Sequence, residues 1–179
     1  MPCVRREQIY RMSVAIKMGH PKKQRKKYET PKRPYDKQRI EKERKILNEY
    51  GLRRKREIWR AESILRDFRR RARELLAVKD EKKQAELIGK LNKMGIESQT
   101  LDDVLSIRLE HLLGRRLQTV VYKKGLANTP RQARQFIVHG HVVVGRRRVA
   151  WPSYIVKKGE EDAISLRHET AAKAQEAKK

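Results

Sequence analysis

This chain of 179 residues has one cysteine, few aromatic side chains and no long run of apolar residues. The lone Cys3 excludes an internal disulfide framework and a zinc site built from several cysteines. Hydrophobic residues make up 37% of the sequence and aromatic residues 6%, which suffices for one small core and helix packing but not for several large domains. Without a long apolar run, no segment is predicted to cross a membrane.

Acidic residues are also scarce relative to basic ones. The chain has 47 lysines and arginines against 22 aspartates and glutamates, and its net charge of +25 gives a pI of about 10.6. Such a surface repels itself and requires a polyanionic partner. RNA and DNA are favoured over an anionic membrane, because the basic helices show no apolar face broader than a core requires. The N-terminus carries no apolar segment of a signal peptide, so we expect a cytoplasmic protein.

Residues 1–36 form a basic N-terminal extension that we expect to be disordered in isolation. Pro21, Pro31 and Pro34 interrupt any helix, and the run Lys22–Lys27 offers nothing that a core could bury. The run is either a solvated tail or an arm that becomes ordered on its partner, and we favour the arm. We also expect the natural chain to begin at Met18, which the mass of the native protein would test.

Residues 37–96 are predicted to form a helical arm. The three helices cover Lys37–Glu49, about Lys55–Val78 and about Asp80–Lys93, and a glycine follows the first and the third. Apolar residues of the second helix recur at steps of three and four, the spacing of a seam that packs on neighbouring helices. These residues are Ile58, Ala61, Leu65, Phe68, Ala72 and Leu75.

Residues 97–166 are predicted to form a second unit, followed by a flexible tail over 167–179. One helix is expected through the apolar positions between Leu109 and Val121. A second helix begins with Thr129 as N-cap and Pro130 as its first residue, and Gln132 is the reciprocal partner of a capping box.

A hairpin follows this second helix. Gly140 is placed where a left-handed helix stop is expected. Strands are predicted over Val142–Val144 and Arg147–Val149 with the turn Gly145–Arg146 between them, and a third strand near Ala163–Leu166. The fold class is therefore α+β: an N-terminal helical arm plus a small α-α-β-hairpin module, with basic flexible termini.

Several segments of the chain are similar to a known family. Arg115–Ala127, Thr129–Arg134 and Val149–Tyr154 resemble the RNA-binding module of the ribosomal small-subunit protein S-four family. RNA-modifying enzymes and some tRNA synthetases carry the same module, so the module alone leaves the function open. Gly19–Tyr28 and Tyr50–Arg60 resemble the archaeal branch of the ribosomal family, and the resemblance then covers nearly the whole chain.

The resemblance implies a structural RNA-binding protein of the small ribosomal subunit in the cytoplasm. Members of the family bind a helical junction in the five-prime domain of small-subunit (16S) rRNA early in assembly. In the mature subunit they lie near the path by which messenger RNA enters, and they affect decoding accuracy through a neighbouring ribosomal protein. The implied partners are thus this rRNA, neighbouring ribosomal proteins and messenger RNA. No cofactor or metal is implied, because the zinc-binding cysteines of some bacterial members are absent.

Basic side chains on rigid elements are the first candidates for RNA binding. Lysine and arginine displace the counterions of phosphates, and the guanidinium fork suits the folded RNA backbone. In the second unit the candidates are Arg115, Arg116, Gln118, Tyr122, Lys123, Arg131, Arg134, Gln135, His139, Arg146 and Arg147. In the extension and the arm they are Lys22, Lys23, Arg25, Lys26, Lys27, Arg53 and Arg54.

Some uncharged candidates have two interpretations. Gln118 and Gln135 are suited to donate hydrogen bonds to 2′-hydroxyl groups, which carry much of duplex RNA recognition. Tyr122 either stacks on a base or packs in the core. Trp59 and Trp151 are predicted to pack rather than to serve as stacking platforms.

The pair His139 and His141 has the spacing of two metal ligands. Two histidines without further ligands are a weak metal signal. We favour a role for His139 at the end of the helix, where a proton complements the helix dipole.

Two other classes of protein compete with a ribosomal protein. An RNA-modifying enzyme needs a catalytic domain, and the sequence shows no glycine-rich phosphate loop, no Ser/His/Asp set and no paired carboxylates. A chromatin or heat-shock RNA binder would explain the charge but not the helical arm. From the sequence, joint charge reversal of Arg131 and Arg134 is expected to weaken rRNA binding without unfolding the protein.

Overall fold

The structure is a computed structural model that describes residues 26–78 and 80–167. Within these ranges the helices are α1 (Lys37–Glu49), α2 (Lys55–Val78), α3 (Glu81–Lys93), α4 (Leu101–Ser106), α5 (Leu109–Gly114), α6 (Leu117–Lys123) and α7 (Pro130–Val138). The strands there are β1 (Val142–Val144), β2 (Arg147–Arg148) and β3 (Ile164–Leu166). This content confirms the α+β class. None of the described helices is long and apolar enough to cross a membrane.

Helix α2 is the longest described element and contributes to two apolar clusters. All six residues of its predicted seam are buried. Its C-terminal half packs with α3 and α4 around Leu91 and Val104, whereas Ile58 and Ala61 near its start pack with Leu113 of α5. Apolar contacts thus cross the boundary predicted between residues 96 and 97, and the division into arm and module stays a prediction.

The helices of the arm have the predicted bounds, except that α3 begins at Glu81 rather than at Asp80, whose backbone is extended. The short helix α4 was not predicted. It starts with a capping box, in which Asp103 accepts the backbone N–H of Thr100 at 2.9 Å and Thr100 Oγ1 accepts that of Asp103 at 3.2 Å. Hydrogen bonds from the backbone of Thr100 and Gln99 lower the pKa of Asp103. Asp103 therefore serves as the capping acid of α4.

The single helix predicted through Leu109 to Val121 is wrong, because the chain breaks it into α5 and α6. Arg116 has an extended backbone (φ −71°, ψ 141°) and forms an antiparallel bridge with Ile155. The amide of Leu117 donates to the carbonyl of Tyr154 at 2.8 Å, and the amide of Val156 donates to the carbonyl of Arg115 at 2.9 Å. Pairing with a distant segment therefore replaces the helical hydrogen bonds at this point.

The second unit has its own core between α6, α7 and a small sheet. Strand β1 is central, with β2 and β3 antiparallel on either side. The fully buried members of this core are Leu117, Val121, Ala133, Ile137, Val142 and Val156. Phe136 is only partly buried against it.

The start of α7 and the following hairpin were largely predicted from sequence. Thr129 Oγ1 accepts the amide of Gln132 at 3.2 Å, while the Gln132 side chain accepts the amide of Asn128 at 2.8 Å, one residue before the predicted partner. Gly140 has the expected left-handed backbone (φ 73°). Val144 faces Arg147 across the predicted two-residue turn. The second strand ends one residue earlier than predicted, at residue 148.

Candidate nucleic-acid interface

A groove rich in arginines lies where the start of α2 meets the second unit. We call it the arginine groove; it encloses about 500 Å³. Among the described residues Glu57 is its one acidic lining residue, and Pro152, Ser153 and Ile155 line it from the second unit. Its basic lining residues come from both parts of the chain. They are Arg53, Arg54, Arg56, Arg60, Arg116 and Arg134.

The arginines at the start of α2 are open to solvent. Arg56 and Arg60 are one helical turn apart and so share a face, and Arg53 and Arg54 lie in the turn before the helix. All four are exposed. The guanidinium groups of Arg53, Arg54 and Arg56 make no hydrogen bond or ion pair with any other described residue. Three cationic groups are therefore available to a polyanion.

Glu57 connects α2 to the second unit beneath these arginines. Its carboxylate receives both ends of the Arg134 fork, at 2.9 and 3.1 Å, and Arg116 Nη2 at 2.6 Å. Burial alone would raise the pKa of Glu57, but the hydrogen bonds and charges of Arg134 and Arg116 outweigh it and lower the pKa. Burial also lowers the pKa of the Arg116 guanidinium, which Glu57 opposes. One carboxylate thus fixes two arginines of the groove.

This lowered pKa predicts a loss of stability in acid. A carboxyl group whose pKa is lower in the folded than in the unfolded protein stabilises the fold at pH values above its unfolded-state pKa, about 4.3. This contribution is lost as the pH falls through the folded-state pKa. We expect the stability difference between wild type and Glu57→Gln, measured by urea unfolding, to be constant near neutral pH and to narrow below about pH 4. A difference that grew on acidification would contradict the lowered pKa.

Gln118 fixes the two sides of the groove at a second point. Its side chain is fully buried, and its amide nitrogen lies 3.1, 2.9 and 2.9 Å from the carbonyl oxygens of Tyr50, Gly51 and Pro130. Its amide oxygen accepts from Arg134 at 3.3 Å. The turn after α1 is therefore held against the first residue of α7, and the groove is a preformed surface.

Four predicted RNA-binding residues have partners within the protein. Arg116 and Gln118 are buried, so we correct their predicted role from RNA contact to positioning of the groove. Arg115 donates to the carbonyls of Met94 at 2.9 Å and Val156 at 3.2 Å and pairs with Glu161. It is half-buried rather than buried, and its RNA contact stays a prediction. Arg134 lines the groove but is held by an ion pair.

The ion pair between Arg134 and Glu57 changes the expected outcome of joint charge reversal at Arg131 and Arg134. An acidic residue in place of Arg134 would face Glu57 in a partly buried site, and like charges there are destabilising. The variant is therefore expected to disturb the fold, and a loss of RNA binding in it would not identify a contact.

A second basic surface is formed by the outer face of α7 and the hairpin tip. It consists of exposed side chains, and those predicted to bind RNA are Arg131, Gln135, His139, Arg146 and Arg147. Arg148, also exposed, donates to the carbonyl of His139 at 3.0 Å, and the rings of His139 and His141 stack with centroids 6.1 Å apart. These residues are placed where a polyanion can reach them.

Of the remaining candidates, some are exposed and others lie outside the residues that the structure describes. Tyr122 is 41% exposed and Lys123 is exposed, so a core role for Tyr122 is not favoured. Lys26 and Lys27 are exposed, and the Lys26 ammonium lies 4.9 Å from the ring centre of Tyr28. The candidates Lys22, Lys23 and Arg25 lie outside the described residues.

Sequence reasoning missed three residues near the groove. Arg56 and Arg60 were not selected, although their spacing of four on a helix that follows Arg53 and Arg54 was a usable signal. Trp151 was predicted to pack but is 67% exposed. The packing prediction for Trp59 is consistent with its half-buried position and its hydrogen bond to Glu43 at 2.9 Å.

The fold and the surface together define a class of protein: a small α+β RNA-binding protein with a preformed cationic groove. The S4 domain, which is the module named S-four above, matches residues 115–162, the segment of α6, α7 and the hairpin.

Three relatives carry the same description, small ribosomal subunit protein uS4. The protein of Methanococcus aeolicus is 53% identical over 154 residues, which cover 83% of this chain and 87% of the relative. That of Saccharolobus islandicus is 54% identical over 153 residues, covering 82% and 84%, and that of Hyperthermus butylicus is 51% identical over 152 residues, covering 82% and 86%. The chain belongs to the uS4 family of small ribosomal subunit proteins. The relatives are ribosomal proteins and not enzymes, which decides against an RNA-modifying enzyme.

Proposed function

We propose that this chain is a structural component of the small ribosomal subunit and binds small-subunit rRNA directly through the arginine groove. The observation that carries the proposal is the gathering of six arginines from two parts of the chain around a single acidic residue. Membership of the uS4 family supports the ribosomal setting. The groove would bind a junction in the five-prime domain of the rRNA and hold its helices in a fixed relative position.

The geometry suits a folded RNA better than a regular duplex. The deep groove of an RNA duplex is closed to side chains, so a protein reads its phosphates, its 2′-hydroxyls and its overall shape. Two basic surfaces on rigid elements, the arginine groove and the outer face of α7 with the hairpin, supply several phosphate contacts at once. Because Glu57 and Gln118 hold the two sides of the groove together, little backbone conformational entropy is lost on binding.

The proposal extends to the wider surroundings of the protein. Family membership supports contacts with neighbouring ribosomal proteins in a cytoplasmic small subunit. A position near the path by which messenger RNA enters, with an effect on decoding accuracy, is the part that rests on the resemblance alone.

Removal of the three unpaired arginines of the groove tests the proposal. We expect the variant Arg53→Ala, Arg54→Ala, Arg56→Ala to bind a transcript of the five-prime domain of 16S rRNA at least about tenfold more weakly near 0.15 M salt. The slope of log affinity against log salt should become shallower by about 2 to 3, because each lost phosphate contact removes roughly 0.7 to 0.9. Filter binding at several salt concentrations measures both quantities.

A matched control removes the same charge elsewhere. Lys42, Arg44 and Lys45 are exposed residues of α1 that do not line the groove. Their triple alanine variant should bind within about twofold of wild type, since side chains outside the groove displace no counterions from the phosphates that the groove binds. Equal losses in the two variants would show a nonspecific response to net charge and would contradict a defined site.

A further inference from the structure

Trp151 is a large aromatic side chain with no side-chain partner in the part of the chain that the structure describes. It is 67% exposed, far more than its predicted role in packing requires. Its ring contacts no other aromatic ring and its indole N–H makes no hydrogen bond among the described residues. Exposure of so large an apolar ring to water costs free energy, and a flat partner that covered the ring would recover it.

The segment that carries Trp151 is held firmly. The carbonyl of Trp151 accepts the amide of Tyr154 at 3.1 Å, which closes a turn, and the carbonyl of Tyr154 accepts the amide of Leu117 at 2.8 Å. The Tyr154 hydroxyl donates to Glu160 at 2.8 Å. Pro152 at the second position of the turn has a restricted φ. The indole is therefore presented from a fixed turn rather than from a loose loop.

This turn borders the arginine groove. Pro152 and Ser153, the two residues after Trp151, line the groove together with Arg53, Arg54 and Arg56. An RNA strand whose phosphates pair with those arginines would have its bases within reach of the rim of the groove.

We propose that Trp151 is a stacking platform for an unpaired nucleobase of the RNA whose phosphates occupy the arginine groove. The proposal rests on the proposed function and adds a recognition element to it. Indole stacks on any base face, and stacking beside a cationic groove is the usual arrangement for single-stranded nucleic acid. The surface therefore combines shape and charge recognition of a junction with capture of one base that the junction leaves unpaired.

The surroundings favour a nucleobase over a protein partner. The groove beside Trp151 carries the exposed guanidinium groups of Arg53, Arg54, Arg56 and Arg60, and its acid, Glu57, is already neutralised by two arginines. A protein that covered Trp151 would have to bring a matching acidic surface, whereas RNA supplies both the flat base and the phosphates.

Fluorescence provides a direct test. The chain has two tryptophans, so the variant Trp59→Phe leaves Trp151 as the only indole. Titration with the five-prime-domain transcript should quench this fluorescence strongly and saturably, at the same concentrations as binding. Binding without any change in the emission of Trp151 would overturn the proposal. Quenching in the intact subunit but not on the free transcript would assign Trp151 to a protein partner and would equally overturn it.

Substitution provides the second readout. Trp151→Ala should weaken binding of the transcript about tenfold, the size typical of one lost base stack, while Trp151→Phe should stay within about threefold of wild type. The slope of affinity against salt should be unchanged in both, because no charge is removed.

Comparison with the arginine variant separates this inference from the proposed function. If the triple arginine variant binds weakly and Trp151→Ala binds like wild type, the stacking proposal fails and the groove stands. If the wild-type protein itself does not bind the transcript, the proposed function fails and the stacking proposal fails with it.

Discussion

Glu57→Ala is expected to destabilise the protein by about 3 to 5 kcal/mol, the range for removing one partner of a buried ion pair. The side chains of Glu57 and Arg116 are 15% and 8% exposed, so the change would leave the Arg116 guanidinium buried without its counter-ion. Arg134 would lose both bonds of its fork. The free energy of unfolding, measured in urea at neutral pH, tests the expectation.

The same helix provides a matched control. Glu74 pairs with Arg70 one turn away, but both side chains are 59% exposed. Exposed pairs contribute at most about 1 kcal/mol and often nothing measurable, so Glu74→Ala should change stability by less than that. A loss in Glu57→Ala no larger than in Glu74→Ala would contradict the role of Glu57 as the connection between α2 and the second unit.

Gly51→Ala is expected to destabilise the protein by about 3 kcal/mol, through backbone strain and a steric clash together. Gly51 has a left-handed backbone (φ 59°), and a Cβ there would lie 2.8 Å from Pro130 Cβ and 3.0 Å from the Pro130 carbonyl carbon. The neighbours cannot move aside easily, because Gln118 bonds to the carbonyls of both Gly51 and Pro130. Urea unfolding again measures the loss.

A second glycine separates the two causes. Gly145 in the hairpin turn has a similar backbone angle (φ 62°), but a Cβ there would meet nothing within 4 Å. Gly145→Ala should therefore show only the backbone strain, about 1 kcal/mol. Equal losses of stability in the two variants would contradict a close contact between Gly51 and Pro130 at the junction of the arm and α7.

The substitutions Glu57→Ala and Gly51→Ala are also expected to affect RNA binding. Both act at places where the first part of the chain is joined to the second, and the arginine groove takes lining residues from each side. Under conditions where the variants remain folded, we expect weaker binding of the five-prime-domain transcript, because the arginines would no longer be held in one arrangement.

Local patterns predicted most of the elements. The seam of α2 and the cap at Thr129 depend on residues within a few positions of one another, and both appear as expected. The break between α5 and α6 could not be read in this way, because it is caused by pairing of Arg116 with Ile155, far along the chain. The apolar periodicity continues across the break, so the sequence pattern predicts one continuous helix.

The candidate site shows the same difference between local patterns, which can be predicted from the sequence, and long-range contacts, which cannot. Sequence reasoning predicted that arginines would dominate the interface but could not distinguish exposed arginines from structural ones. Arg131 is exposed, whereas Arg116 is buried because it meets Glu57, 59 positions earlier. The exposed position of Trp151 could not be predicted from the sequence either, because tryptophan is usually a packing residue and its sequence neighbours do not mark it as exposed. The burial of Arg116 and the exposure of Trp151 both depend on which described residues lie nearby in the tertiary structure, and local sequence does not show this.

Ultraviolet crosslinking of native small subunits, followed by mass spectrometry of the peptides, tests the central claim most directly. We expect crosslinks to rRNA in the peptides that span residues 53–60 and 150–155, the two sides of the arginine groove. Crosslinks confined to other surfaces, with both of these peptides recovered unmodified from intact subunits, would contradict the account.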